Sequence, residues 1–273
     1  VCRVTFAAGT LPHGLVVAHG KLKEDAVSTA SGLLLEHGDQ RWLVDGGIAV
    51  DLAEHLKEVP GFVGFAMRSS AKDWARAAAP VDALRAIGVE PSSITGMLAT
   101  HAHYDHLGGL LDIPGPPLWL PGPELAMARA VADGGKGPVV PAEAKGAVGR
   151  AKELVYDGPP LGPWGATKDL FGDGSVQLFP MPGHTPGSMG AYLHLPNGKR
   201  VLAVGDTVWV REGYETREPK GWPATSFDSD RSGITTQIQA LWSLHRADPD
   251  LIILPAHDER QWRAVFADGP CVR

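Results

Sequence analysis

Three histidines and an aspartate fall within six residues, His101-Ala102-His103-Tyr104-Asp105-His106, directly after the apolar run Ile94–Thr100. Imidazoles crowded in this way repel one another when protonated and seldom gather without a metal to hold them. Neutral imidazole nitrogen and carboxylate oxygen are the donors that a borderline ion such as Zn2+ takes when thiolates are absent. The chain has only two cysteines, Cys2 and Cys271, near its opposite ends, which excludes a thiolate zinc site. Four candidate ligands in one short loop cannot all wrap a single ion. Two adjacent ions, completed by donors from elsewhere in the chain, fit better.

The rest of the chain reads as alternating strand and helix patterns. Leu15–Ala18, Leu33–Glu36 and Arg41–Val44 have the look of short strands, the last two joined by a turn at His37–Gln40, and Asp45-Gly46-Gly47 ends the third. Val50–Val59 and Lys72–Ile87 have the apolar spacing of helices, the second restarting near Pro80, since proline is tolerated only in a first turn. Phe62, Phe65, Met67 and Trp74 fall in an apolar loop after the first of these helices. Ile94–Thr100 reads as a buried strand, and Glu124–Ala132 and Ala142–Lys152 as helices. In the second half Val176–Phe179, Ala191–Leu195, Arg200–Val204 and Leu251–Leu254 read as strands, with Asn197-Gly198 as a hairpin turn, and Thr235–His245 as a helix. Sheets covered by helices follow, an α/β class. Gly/Pro-rich stretches recur throughout and none cuts the chain cleanly, so one domain over residues 1–273 is expected.

Composition narrows the function classes. The formal charge of −6, without a basic cluster, argues against nucleic-acid binding. No apolar run approaches the roughly 18 residues a membrane-spanning helix needs. Of the eleven histidines, six (His13, His19, His37, His55, His194 and His245) stand alone and read as ordinary structural residues. The other five fall at strand ends. His184 lies in the tight turn Pro182-Gly183-His184-Thr185-Pro186-Gly187, and His257 follows Leu251–Leu254. Asp206 closes the set just past Val201–Gly205. Asp258, beside His257, reads as a solvated or helix-capping residue rather than a ligand.

The His101–His106 motif, the Gly183–Gly187 turn, Gly205-Asp206, His257 and the early Asp45-Gly46-Gly47 together resemble the metallo-β-lactamase superfamily of dinuclear metal hydrolases. The resemblance implies an αβ/βα four-layer sandwich, two mixed β-sheets face to face with helices outside. It also implies two divalent ions, expected to be Zn2+. His101, His103 and His184 would bind the first and Asp105, His106 and His257 the second, with Asp206 bridging both. Asp45 would hydrogen-bond behind the ligand loop and fix its geometry. Five neutral imidazoles and two carboxylates leave about two positive charges on two divalent ions, which favours a bridging hydroxide at neutral pH. That hydroxide would attack an ester carbonyl, with Asp105 passing a proton to the leaving group.

True β-lactamases of the superfamily carry Cys or Ser where this chain has Asp206, so antibiotic hydrolysis is disfavoured. The segments Ser226-Phe227-Asp228 and Pro255–Gln261 resemble the lactonases. The expected reaction is hydrolysis of a small apolar lactone or carboxylic ester, with a broad substrate range. Phosphotriester hydrolysis of the organophosphate-hydrolase kind is the runner-up, then a glyoxalase II-like thioesterase. An iron-binding redox or sensor protein is the reading outside the hydrolases, disfavoured because His103 stands where redox members place a glutamate. Phe62, Phe65, Met67, Trp209 and Trp222 are candidates for an apolar substrate wall. Lactonases commonly place a tyrosine three residues after the bridging aspartate, whereas this chain has Trp209, whose only polar group is an indole N–H. The oligomeric state is open, a homodimer being compatible. The compartment is cytoplasmic or, if a leader has been removed and Cys2 pairs with Cys271, periplasmic or secreted.

Overall fold

The hairpin expected around His37–Gln40 is built from β2 (Asp25–His37) and β3 (Gln40–Val44), antiparallel with Leu34 opposite Leu43 and Leu35 opposite Trp42. Gly38, at φ 55°, supplies the left-handed residue of its turn. The computed structural model describes residues 1–70, 74–76 and 79–272, with positions 62, 63, 66, 69, 70 and 74–76 described by backbone alone. In chain order its strands are β1 (Cys2–Pro12), β2, β3, β4 (Trp74–Arg76), β5 (Gly96–Leu98), β6 (Leu118–Pro121), β7 (Ala151–Leu154), β8 (Lys168–Asp169), β9 (Val176–Pro180), β10 (Met189–His194), β11 (Arg200–Ala203) and β12 (Leu251–Leu254). The α-helices are α1 (His13–Val16), α2 (Leu52–His55), α3 (Gly61–Ser70), α4 (Pro80–Ala86), α5 (Gly108–Leu111), α6 (Gly122–Ala132), α7 (Pro141–Arg150), α8 (Arg211–Thr216), α9 (Arg231–Ala247) and α10 (Glu259–Val265). Two mixed sheets with helices confirm the α/β class.

The chain divides into two compact units, Val1–Gly9 with Thr29–Leu154, and Thr10–Ser28 with Val155–Arg273. In the first, the sheet order is β4-β1-β2-β3-β5-β6-β7. Strands β3, β5, β6 and β7 run parallel, and helices cross between them, as parallel neighbours require. Leu34, Leu43, Met97, Leu98, Leu118 and Leu120 are fully buried in it. In the second unit the order is β12-β11-β10-β9-β8. One face packs on α9 through Phe179, Leu202, Val204, Ile234, Ile238 and Leu241. Asp230 caps α9, its carboxylate accepting the Ser232 and Gly233 N–H groups.

Most expected elements are found within a residue or two; β2 begins eight residues and α9 four residues before the expected starts, and three readings are overturned. Leu15–Ala18 is no strand: His13–Val16 makes one helical turn closed by Val17 N–H to the His13 carbonyl at 3.1 Å. Within Lys72–Ile87, Trp74–Arg76 pairs as a strand with Ala7–Gly9 of β1, so the helix begins only at Pro80. Residues 71–73 and 77–78 lie outside the described residues. Of the residues expected in an apolar loop, Phe62, Phe65 and Met67 lie in helix α3 and Trp74 in β4. Both cysteines are disulfide-bonded. Among the described residues no helix is long and apolar enough to cross a membrane.

Candidate metal centre

In the first unit, β5 leads straight into the His101–His106 loop, and the end of β3 holds that loop from behind. Asp45 sits at φ 61°, a left-handed backbone rare outside glycine, and is buried. Its Oδ1 accepts the Thr100 N–H at 2.7 Å, and its Oδ2 accepts the Thr100 hydroxyl at 2.9 Å. The same Oδ2 lies 2.9 Å from His106 Nδ1, so Nδ1 carries a proton, and in the neutral ring the lone pair is on Nε2. Asp45 thus hydrogen-bonds the His101–His106 loop from behind at three points. The backbones interlock as well. Gly46 N–H donates to the His106 carbonyl at 2.8 Å and Gly109 N–H to the Gly47 carbonyl at 2.9 Å. A Cβ on Gly109 would stand 2.0 Å from the Gly46 oxygen, so only glycine permits this approach.

The side chains of this half converge. His101 Nε2 is 3.0 Å from His103 Nδ1, the His101 and His106 rings lie 4.1 Å apart between centroids, and His106 Nε2 is 3.8 Å from Asp105 Oδ2. All three imidazoles are buried. Glu124, buried on α6, accepts the Ala102 N–H at 2.6 Å and fixes the centre of the loop. Nothing in the sequence singles it out, since a glutamate in a first helical turn is an ordinary surface residue.

In the second unit the three remaining donors sit at three strand ends. His184 lies in the turn after β9, where Gly183 takes φ 142° with its Cα against the Ile234 backbone. Thr185 N–H donates to Ser188 Oγ at 3.0 Å and closes that turn. Asp206 follows β11, and His257 follows β12, the two strands paired in parallel. His257 Nε2 lies 3.1 Å and His184 Nε2 3.5 Å from the same atom, Asp206 Oδ2. Trp209 donates its indole N–H to that oxygen at 2.8 Å, and its ring meets His257 edge-on at 5.6 Å. Asp258 is a cap as expected: it accepts the Arg260 and Gln261 N–H groups of α10, and also the Arg211 N–H at 2.7 Å.

Two residues absent from the sequence reading as site residues complete this half. Asp228 Oδ1 lies 2.7 Å from His184 Nδ1, and Lys220 Nζ lies 2.6 Å from the same oxygen. Burial holds the His184 pKa below the ordinary histidine value, the Lys220 ammonium adds to that, and Asp228 and Asp206 pull the other way. The imidazole is therefore neutral, the form that ligates a metal. The chemistry of both donor sets fits divalent ions of zinc type: buried imidazoles, each half with an aspartate among them, and in each half one ring, His106 or His184, hydrogen-bonded from behind by a carboxylate.

The structure thus gathers Asp45, His101, His103, Asp105 and His106 in one unit and His184, Asp206, His257 and Trp209 in the other. The remaining apolar candidates are scattered: Met67 is buried, whereas Phe65 is 64% and Trp222 75% exposed. The Phe62 side chain lies outside the described residues.

Comparison with known proteins gives this arrangement a context. Residues 26–257 match the family described as the metallo-beta-lactamase superfamily. An N-acyl homoserine lactonase, AttM of Rhizobium radiobacter, is 26% identical over 196 residues, covering 70% of this chain and 67% of its own length. A probable metallo-hydrolase of Mycobacterium bovis is 29% identical over 253 residues, covering 83% of this chain and 73% of its own. Among solved structures, a B. thuringiensis AiiA mutant with N-decanoyl-L-homoserine bound at its active site superposes with a TM-score of 0.70 at 18% identity, over 96% of this chain and 94% of that one. The dizinc quorum-quenching lactonase AidC superposes with a TM-score of 0.63 at 15% identity, over 93% and 86%.

Proposed function

This chain belongs to the metallo-beta-lactamase superfamily, and from that premise we propose that it is a dinuclear metal hydrolase of lactones and related carboxylic esters. The observation that carries the reading is the pair of preformed donor sets, His101, His103, Asp105 and His106 in one unit and His184, Asp206 and His257 in the other. We assign them jointly to two Zn2+ ions, His101, His103 and His184 to one and Asp105, His106 and His257 to the other, with Asp206 shared. A single family match running from 26 to 257 through both units supports reading them as one hydrolase domain. Bound there, two divalent ions would supply Lewis acidity and activate water at neutral pH.

The chain's own residues do the rest. Asp45, through His106 Nδ1, and Asp228, through His184 Nδ1, keep each ring's Nε2 free of a proton. Asp105, whose Oδ2 lies 3.8 Å from His106 Nε2, is assigned to take a proton from the attacking water and return it to the leaving alkoxide. The lactone assignment is supported by the lactonase relatives and by structural neighbours holding N-acyl-L-homoserine products. Trp209 widens it. Where lactonases commonly carry a tyrosine hydroxyl, this chain has an indole N–H already given to Asp206. Aryl esters and phosphotriesters therefore join lactones as substrates. The two disulfide-bonded cysteines favour an oxidising compartment over the cytoplasm.

A rate panel of N-acyl homoserine lactones, aryl esters, a thioester, an aryl phosphotriester and a cephalosporin tests the assignment. Lactone or ester turnover should be fastest, and His103→Ala should lose metal and turnover together. A cephalosporin turned over fastest would overturn it.

A further inference from the structure

Lys220 belongs to no motif in the sequence, yet its side chain is fully buried, unusual for a residue type that stays at the surface unless paired. Its backbone is pinned on both sides by the 14–18 segment of the same unit. Ala18 N–H donates to the Pro219 carbonyl at 2.9 Å and Gly221 N–H to the Leu15 carbonyl at 3.0 Å. A Cβ on Gly221 would stand 1.7 Å from the Gly14 oxygen, so the two backbones touch. The side chain is thereby sent inward. Its ammonium, a donor of three N–H groups and an acceptor of none, reaches Asp228 Oδ1 at 2.6 Å and the Asp206 backbone carbonyl at 2.7 Å. It passes 3.3 Å from His184 Nδ1 and 5.8 Å from the centre of the Trp209 ring.

These contacts decide which nitrogen of His184 carries the proton. Nδ1 is 2.7 Å from Asp228 Oδ1, and a carboxylate can only accept, so Nδ1 is the N–H. The lone pair is then on Nε2, on the Asp206 side. Asp228 can hold the ring in this way only while its own carboxylate is held, and Lys220 is what holds it. We propose that Lys220 is a positioning residue of the metal centre: through Asp228 it fixes His184 with Nε2 as the ligand atom, and through the Asp206 carbonyl it anchors the shared ligand's strand end. This rests on the assignment of His184 and Asp206 as metal ligands. A lysine serving only the fold would affect stability and leave metal affinity and the His184 tautomer alone.

The full chain, stripped of metal and titrated with zinc alone, separates the two roles. Wild type should bind two zinc ions; if it binds none, the metal-centre assignment itself falls. Lys220→Met, checked for folding by circular dichroism, should lose at least about tenfold in affinity for the zinc assigned to His184, and less for the other, which depends on Lys220 only through the shared Asp206. The His184 ring, followed through its 15N–1H couplings in the zinc-free protein, should lose its single Nδ1–H form. Should Lys220→Met not fold, Lys220→Met with Asp228→Asn decides, since it removes both buried charges together. It should fold, and its zinc affinity should still fall by roughly threefold or more because the Asn side chain lacks an anchor. A folded variant that binds both ions within twofold of wild type and keeps His184 as the Nδ1–H tautomer would overturn the proposal.

Discussion

Glu143 offers a test of the electrostatics behind the ligand loop. Its side chain is completely buried on α7, and its Oε1 lies 3.4 Å from Nδ1 of the half-buried His55. The same oxygen would stand 3.0 Å from a Cβ on Gly108, so the carboxyl sits directly under the first turn of α5. Burial pushes the Glu143 pKa from 4.5 up to about 7, while His55 opposes the rise and Asp105 and Asp112 add to it. The sign follows from linkage. Between pH 4.5 and about 7 the unfolded chain gives up this proton and the folded chain keeps it, so stability is full below 4.5 and is lost as pH climbs through 7. A displacement of that size corresponds to about 3 kcal/mol. His55 acts in the same direction. Its pKa is raised by the Glu143 hydrogen bond, so its contribution is also present at low pH and lost as pH rises through the raised value. Glu143→Gln removes the titration without removing the acceptor oxygen. Urea unfolding of the zinc-free protein from pH 5 to 8 should show the variant gaining on wild type by up to about 3 kcal/mol across that range. Parallel stability curves for the two proteins would refute the reasoning.

Other consequences are as definite. Asp45→Ala removes both the left-handed aspartate and its three hydrogen bonds, and should cost roughly 10–100-fold in zinc affinity, read by competition with a chromophoric chelator. Gly109→Ala forces a methyl group to 2.0 Å from the Gly46 oxygen and should destabilise the fold by about 1–3 kcal/mol or more, seen as a lowered Tm. Trp209→Tyr takes the indole N–H from Asp206 and supplies a hydroxyl; kcat/KM for an acyl homoserine lactone should rise while that for an aryl phosphotriester should not.

How much of this was legible in the sequence follows from range. His101, His103, Asp105 and His106 are close neighbours in the chain, so their chemistry announces itself without any fold. His184, Asp206 and His257 became visible only because each ends an apolar strand and their order matches a family. Lys220 and Glu124 left no such mark, and Asp228 stood out only as part of a lactonase-like segment, not as the partner of His184. Each is a common charged residue whose role is created by burial and by one partner far along the chain. The same holds for secondary structure. Leu251–Leu254 was readable from its unbroken apolar run, and β12 occupies those residues. Trp74–Arg76 has helical neighbours in sequence and is a strand only because β1 lies alongside to pair with it. The one turn at His13–Val16 is likewise held by backbone bonds of His13 to Glu24, Gly14 to Lys21 and Leu15 to Gly221, and no apolar pattern announces them.

Metal content and turnover measured in one sample decide most directly whether this is a dinuclear zinc hydrolase. Protein purified without added metal and analysed by mass spectrometry should hold two zinc ions per chain. Its lactone hydrolysis should vanish on chelation and return as two equivalents of zinc are restored. Undiminished lactone hydrolysis in the metal-free protein, or an iron or flavin spectrum in place of zinc, would contradict it.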